Sequence, residues 1–252
     1  MFDGMNDFQT IATLPAGALK YWSYDDLSAA VNQRDYRYRI ISVDKCGNID
    51  TSNVAHSILL KVVQEAYNIN RLIWNPYSGW ITGTDYYRVL RFANGQPLGL
   101  PVTLPASSGG SLIFEDDVTN FVDVAGRFCY VVLAVELPGN TISGAVDTSY
   151  SNRACVERSP DIYVPSAFRP ASDIEQNRTF KPQIPFLYGS DYYMAVFNRW
   201  GEKIFETRDI NRGWDGSFQG KEAPQGVYIY LIQLKDNSGE KVVKRGTLTL
   251  LR

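Results

Sequence analysis

Short runs of alternating apolar and polar residues follow one another along the chain, separated by turn residues. In the C-terminal third the runs cover residues 192–200, 202–207, 227–236 and 241–251, with Gly, Asn or Asp between them. A period of two is typical of β-strands that turn one face to a core. No segment of useful length has the period of an amphipathic helix, so the pattern predicts an all-β protein built from β-sandwiches, each of roughly seven short strands.

Composition supports this class and excludes others. The chain has 16 Tyr, 12 Phe and 5 Trp, residues that pleated sheets favour. A net charge of -2, with both signs interspersed, lacks the basic stripe that nucleic-acid binding requires. No apolar run approaches the roughly 18 residues of a membrane span. Residues 1–4 lack the basic and apolar regions of a signal peptide, so we expect further sequence upstream.

An internal repeat organises the first part of the chain. Four short motifs occur twice, in the same order, about 90 residues apart. They are TLPA at 13–16 and 103–106, Asp25-Asp26 and Asp116-Asp117, YRIISVD at 38–44 and YVVLAVE at 130–136, and Ser52-Asn53 and Ser151-Asn152. The second copy has about 40 residues before its TLPA motif, whereas the first has only twelve. We therefore interpret residues 1–60 as a truncated domain, 61–157 as a complete one and 158–252 as a third.

The two copies resemble the fibronectin type III family. The resemblance rests on Tyr130, Val132, Ala134 and Val135, spaced as Tyr-x-Val-x-Ala-Val, and on Trp74 in an earlier strand. It implies tandem immunoglobulin-like sandwiches in which Trp74 fills the centre between two sheets. Such domains act in spacing or adhesion, and the fold by itself implies no activity.

Chemistry-bearing residues are sparse. The single histidine, His56, has no second histidine or paired cysteines with which to form a metal site or a triad. We interpret the Asp25-Asp26 and Asp116-Asp117 pairs as solvated loop acids. The sequence therefore predicts no enzyme, no catalytic residue and no cofactor.

The three cysteines are used unevenly. Cys129 and Cys155 fall on strands that are neighbours in this fold, so they form either a disulfide, which an extracellular setting favours, or two buried free thiols. Cys46 is then the odd cysteine, whose partner we expect in the upstream sequence.

The C-terminal domain carries the most specific motifs. They are FNRWGEKIFET at 197–207, GWDGSFQGK at 213–221, APQGVYIY at 223–230 and KRGTLTLLR at 244–252. In this order they closely resemble the gliding motility-associated C-terminal domain of Bacteroidetes, the type B sorting domain of the type IX secretion system. The resemblance implies a secretion and surface-localisation module of a large adhesin-like protein, exported across the outer membrane to the cell surface or the extracellular space.

The same resemblance implies the partners: the type IX translocon and an outer-membrane barrel protein of the PorP/SprF type. The candidate recognition residues are Asn198, Arg199, Trp200, Gly201, Trp214, Asp215, Gly216, Lys244, Arg245, Gly246 and Arg252. We expect the terminal stretch 244–252 to matter most, as a free edge with a fixed positive charge that a partner captures by β-augmentation or groove docking without unfolding the core. The alternative is that its basic residues only protect a sheet edge from aggregation.

Members of this family usually carry a Gly-rich acidic loop that resembles a calcium site. Here only Asp173, Glu175 and Asn177 remain as oxygen donors and both glycines are absent, so we expect no calcium.

An alternative function is carbohydrate or ligand binding by a sandwich module of a secreted enzyme or adhesin. Tyr77, Trp80, Tyr86 and Tyr87 would form its aromatic platform, unless they pack between strands.

Overall fold

The computed structural model describes residues 8–15, 23–66, 68–107, 110–124, 126–141, 144–187, 191–236 and 239–252. Residues 1–4, on which the expectation of upstream sequence rests, and Ala16 of the first TLPA motif lie outside these ranges. Within them every regular element is a strand except two 3-10 turns, Thr119–Phe121 and Glu175–Asn177. The predicted all-β class is confirmed. No helix in these ranges is long and apolar enough to cross a membrane.

The first part of the chain forms two small strand pairs. Its strands are β1 (Arg37–Tyr38), β2 (Ile41–Val43), β3 (Ile49–Thr51) and β4 (Ala55–His56). Strand β1 pairs with β4 and β2 pairs with β3, both antiparallel. Ile41, Val43 and Ile49 on the second pair are 51%, 62% and 70% exposed, so no opposing sheet covers this pair in the described residues.

The sequence repeat is also a repeat of contacts. The Tyr38 hydroxyl donates to Asp26 Oδ2 at 3.1 Å, and the Tyr130 hydroxyl donates to Asp116 Oδ2 at 2.8 Å. In each copy a serine hydroxyl, Ser52 or Ser151, accepts the backbone N–H of the facing strand at 2.9 Å. The two copies therefore share a tyrosine–aspartate contact and a serine-stabilised turn.

The second copy is a two-sheet sandwich. Its strands are β5 (Leu60–Ala66), β6 (Ile69–Trp74), β7 (Thr84–Ala93), β8 (Gln96–Pro97), β9 (Val102–Pro105), β10 (Leu112–Asp117), β11 (Arg127–Glu136), β12 (Thr148–Tyr150) and β13 (Ala154–Glu157). One sheet has the order β10-β6-β5, and the other has the order β12-β11-β7-β8 with β13 and β9 beside β11 and β7. Trp74 is fully buried between them and meets the Tyr87 ring edge-on at 5.9 Å.

Asp116 corrects the interpretation of the acidic pairs. It is buried on β10, forms an ion pair with Arg91 and accepts a hydrogen bond from Tyr130, whose hydroxyl also accepts from Asn70 at 2.7 Å. Pairing of β10 with β6 along its whole length turns every second residue inward, and Asp116 is one of these. Burial and the Asp116 charge together raise the pKa of Tyr130 far above its ordinary value.

The C-terminal domain has one main sheet. Its strands are β14 (Ala167–Phe168), β15 (Tyr193–Phe197), β16 (Lys203–Thr207), β17 (Ser217–Phe218), β18 (Lys221–Glu222), β19 (Gly226–Lys235) and β20 (Lys241–Leu250). The sheet order is β14-β20-β19-β15-β16, and β17 and β18 form a separate two-stranded ribbon. Each of the four runs predicted from the alternation contains a strand of this sheet.

Candidate recognition surface

The turn between β15 and β16 presents an exposed tryptophan on a rigid support. Asn198 Oδ1 accepts the backbone N–H groups of Trp200 and Glu202, both at 3.0 Å. Gly201 takes the left-handed conformation, with φ of 82°, that this tight turn requires. Trp200 is 79% exposed, and the Arg199 guanidinium lies 5.0 Å from the centre of its ring.

A groove of about 280 Å³ adjoins this turn. Its apolar lining includes Ile204, Phe218, Pro224 and Tyr228. The Tyr228 hydroxyl donates to the Pro224 carbonyl at 2.6 Å, which fixes one wall. Sequence reasoning singled out the tryptophan turn but missed this lining, because the residues come from three segments that only the folded sheet brings together.

The second predicted recognition segment is mainly structural. Trp214 is fully buried between Phe168 and Tyr228, so a partner of the folded domain cannot reach its ring. Asp215 Oδ1 accepts the backbone N–H and hydroxyl of Ser217 at 2.9 and 2.6 Å, and these bonds lower the pKa of Asp215. Gly216 has a φ of 81°, and an added Cβ would lie 3.1 Å from Leu250. These residues set the turn that closes the core.

Arg252 corrects the expectation of a free terminal charge. Its guanidinium donates to the carbonyl oxygens of Gly216 at 3.0 Å and Ala223 at 2.9 Å, and forms an ion pair with Glu222 at 3.3 Å. The side chain is only 26% exposed. Arg252 therefore fastens the Gly216 turn to the β17–β18 ribbon.

Strand β20, which includes most of the predicted recognition stretch 244–252, is an integral strand of the sheet. All ten of its residues pair with β19, and Leu248 and Leu250 are buried. Gly246 lies opposite Tyr230, and an added Cβ would be 2.6 Å from the tyrosine hydroxyl. A partner cannot remove this strand without exposing the core.

The outer edge of β20 is nevertheless open over most of its length. Strand β14 pairs with it only at Thr249 and Leu250, and within the described residues no strand covers the edge from residue 241 to 248. Lys244 donates its ammonium group to the Ile162 carbonyl. Arg245 is exposed opposite Leu231, on the face of the sheet that points away from the core.

The weak calcium candidates lie in an exposed loop. Asp173 precedes the 3-10 turn that holds Glu175 and Asn177, and all three side chains are exposed. Among the residues that the structure describes, no group of three or more His, Cys, Asp or Glu side chains could hold a metal ion.

Cys129 and Cys155 lie directly opposite each other on β11 and β13 and form a disulfide. The alternative of two buried thiols is not what the structure shows. Cys46 is an exposed free cysteine in the β2–β3 turn.

The four aromatic residues of the proposed carbohydrate platform do not share one surface. Tyr87 is buried, and its hydroxyl accepts the Tyr77 N–H at 2.9 Å. Tyr86, its neighbour on β7, points to the opposite face of the strand. The Tyr77 and Trp80 rings lie 4.2 Å apart and pack against the core of the second copy.

Residues 162–250 match the family model of the CHU_C type IX secretion signal domain. The match covers the whole C-terminal sheet and both sides of the tryptophan turn. It supports secretion to the cell surface or the extracellular space.

No curated protein matches the chain in sequence. Solved structures that match the chain include the FN1-FN3 domains of chicken CNTN1, at 12% identity and a TM-score of 0.32 over 78% of this chain and 65% of that one. A Ca2+-stabilized adhesin that helps an Antarctic bacterium bind ice matches at 11% identity and a TM-score of 0.27, over 86% of this chain and 57% of that one. The fibronectin(III)-like modules of Clostridium thermocellum CbhA match at 10% identity and a TM-score of 0.22, over 77% and 93%. The chain thus spans less than two thirds of the first two structures.

Proposed function

We propose that this chain is the C-terminal secretion and surface-localisation module of a large adhesin-like cell-surface protein, and that the type IX translocon recognises its last domain. The observation that carries the proposal is the match of residues 162–250 to a type IX secretion signal domain. The same residues supply a hydrophobic core of their own around Phe180, Met194, Trp214 and Ile232. A signal of this kind is a folded surface and not a short linear peptide.

The partners in this proposal are the translocon and an outer-membrane barrel protein of the PorP/SprF type. Two surfaces of the domain suit protein recognition. One is the open edge of β20, whose unpaired backbone groups can accept a strand. The other is the tryptophan turn with its groove, because an exposed aromatic on a rigid support loses little entropy on binding.

We also propose that the chain has no catalytic activity of its own. Its buried carboxylates serve the fold: Asp116 is held by Arg91 and Tyr130, and Glu136 accepts hydrogen bonds from Thr82 and Asn140. A substrate screen with the purified chain that found turnover abolished by one acidic substitution would contradict this proposal.

Export is tested with a fluorescent protein fused to residues 158–252, in a bacterium that has the type IX machinery. We expect surface or extracellular fluorescence that disappears in a strain without the translocon. A second fusion carrying residues 61–252 controls for folding, because Phe186 of the last domain packs into the second copy. Retention of both folded fusions inside the cell would refute the proposal.

Substitutions, not deletions, should locate the recognised surface. Deleting residues 245–252 would remove Leu248 and Leu250 from the core, so we expect an unfolded domain whose retention says nothing about recognition. Arg245→Ala and Trp200→Ala change exposed side chains and should leave the fold intact.

A further inference from the structure

Trp200 is exposed, whereas Trp214, the other tryptophan of its domain, is buried. Trp214 is fully buried and its indole N–H donates to the Ser217 carbonyl at 2.8 Å. Trp200 is 79% exposed, and no core contact holds its ring. Its backbone is nevertheless fixed by Asn198, whose side-chain amide also donates to Glu202 at 2.8 Å. Tryptophan is enriched in binding hot spots, and here it stands exposed on a hydrogen-bonded turn.

The groove beside Trp200 has an apolar floor, formed by Ile204, Phe218 and Tyr228, and open space at Gly226. Ile204 from β16, Phe218 from β17 and Tyr228 from β19 all line it. Gly226, at the start of β19, has a φ of 155° and no heavy atom within 4 Å of the position a Cβ would take. The apolar lining suits an apolar side chain of a ligand. The open space at Gly226 leaves room for the ligand backbone that carries this side chain.

The charges around the groove are not balanced. Arg199 and Lys221 line it, and neither has a carboxylate at ion-pair distance within the described residues. Glu222 lines it too, but its carboxylate is paired with Arg252 at 3.3 Å. Burial raises the pKa of Tyr228, and the positive charges of Arg199 and Arg252 oppose that rise. The groove thus carries a net positive charge directly beside its apolar floor.

These features favour a peptide over a sugar. The glutamines Gln219 and Gln225 also line the groove, but an uncharged sugar has no anionic group to pair with the groove's two cations, whereas a peptide can supply a carboxylate. The Arg199 guanidinium lies 5.0 Å from the centre of the Trp200 ring, and its planar donor groups suit a carboxylate.

We propose that this groove binds a short extended peptide segment of a partner protein, with a bulky apolar side chain on the floor beside Trp200 and a neighbouring carboxylate on Arg199. The proposal rests on the secretion function for the identity of the partner, which would be a component of the export machinery. Peptide binding itself is a property of the purified chain and needs no secretion.

The full chain, labelled with ¹⁵N, is titrated with the hexapeptide GSFDSG and with the variants GSADSG and GSFNSG. The readout is the indole N–H resonance of Trp200, assigned by its loss in Trp200→Phe. We expect a saturable shift with GSFDSG, binding at least about fivefold weaker with GSFNSG, and no saturation with GSADSG. Arg199→Gln should weaken GSFDSG binding by about the same factor and remove the preference over GSFNSG.

Matched controls lie outside the groove on the same domain. Arg169→Gln removes an exposed guanidinium from the loop after β14, and Ile174→Ala truncates an exposed apolar side chain in the loop before β15. Both variants should bind GSFDSG as the unaltered chain does.

Several results would overturn the proposal: no saturable shift of the Trp200 resonance, equal affinity for GSFDSG and GSFNSG, or weakening by Arg169→Gln as large as that by Arg199→Gln. Tighter binding of cellohexaose than of GSFDSG at the same resonance would identify a carbohydrate site instead.

Export is scored separately with the fusions described above. Peptide binding without export would refute the secretion function and leave the groove standing, whereas export unaffected by loss of peptide binding would separate the groove from recognition.

Discussion

Gly246 is a glycine because of the ring opposite it. An added Cβ would lie 2.6 Å from the Tyr230 hydroxyl and 2.8 Å from Cζ, closer than packed atoms approach. We expect Gly246→Ala to destabilise the C-terminal domain by about 1–3 kcal/mol, the usual range for overpacking. Urea unfolding followed by fluorescence of the buried Trp214 would measure this.

Thr247→Ala, one residue along on the exposed side, is the control for Gly246→Ala and should change stability by less than about 0.5 kcal/mol. Replacing Tyr230 by Leu in the Gly246→Ala background should recover part of the loss. Unchanged stability of Gly246→Ala itself would show that the ring moves aside freely, and would return this glycine to the candidates for partner contact.

Tyr192 buries a hydroxyl that has no hydrogen-bond partner among the described residues. Removing an unsatisfied buried group relieves its desolvation cost, so we expect Tyr192→Phe to raise the free energy of unfolding by up to about 1–3 kcal/mol at pH 7. The control is Tyr193→Phe, whose hydroxyl donates to Glu206 at 3.0 Å and whose loss should give no stabilisation. The urea midpoints of the unaltered chain, Tyr192→Phe and Tyr193→Phe measure these differences in stability. A less stable Tyr192→Phe would show that the Tyr192 hydroxyl has a hydrogen-bond partner in solution.

The same residue predicts the response to alkali. Burial raises the pKa of Tyr192 well above its ordinary value of 10.0. The unfolded chain therefore releases this proton from about pH 10 upward while the folded chain retains it, and stability falls as pH rises through that range. Tyr192→Phe should show a shallower fall between pH 9 and 11, measured as the change in urea midpoint with pH, and an unchanged slope would contradict the assignment.

At the scale of elements, the disulfide joins β11 and β13 where the two strands pair. It closes a loop with a sequence separation of 26. Loop-closure entropy alone predicts a loss of roughly 3–4 kcal/mol for the second copy in Cys129→Ala/Cys155→Ala. Thermal unfolding under non-reducing conditions would measure it, with Cys46→Ala as a control because Cys46 is free and exposed. Full alkylation of Cys129 and Cys155 without reductant would show that the bond is absent.

At the scale of the whole molecule, residues 184–187 contribute side chains both to the core of the C-terminal domain and to the core of the second copy. Ile184 and Leu187 pack in the C-terminal domain, whereas Phe186 between them is buried in the core of the second copy, where it meets the Phe128 ring edge-on at 6.2 Å. Phe186 has a φ of 63°, unusual for a bulky residue, and this backbone turn directs its ring out of its own domain. Arg158, also buried, lies over the Phe186 ring and donates to Asn70 Oδ1 at 2.7 Å.

We expect this segment to couple the unfolding of the two units. Phe186→Ala should cost about 3–5 kcal/mol, the range for a buried phenylalanine, and should split one calorimetric transition into two. Leu187→Ala is the matched control, because Leu187 packs within its own domain and its loss should lower the transition without splitting it. Two separate transitions already present in the unaltered chain would show that the contact does not couple the units.

Periodicity along the chain predicted more of the fold than of the site. Alternation located the four long strands of the C-terminal sheet, because a strand with one buried face needs a period of two wherever it lies. The motifs at 197–207 and 213–221 likewise identified the secretion domain. They did not separate Trp200, which is exposed, from Trp214, which is buried, because both lie beside a turn glycine, Gly201 or Gly216.

The sequence by itself determined the all-β class, the repeat of the first two units and the identity of the last domain, since these depend on local periodicity and on motif order. Tertiary structure alone decided that Asp116 is buried, that Arg252 is bound to carbonyl groups and that Phe186 enters the core of another unit. Each of these outcomes depends on which segments become neighbours across the sheets. Such contacts join residues far apart in the chain, and no local pattern specifies them.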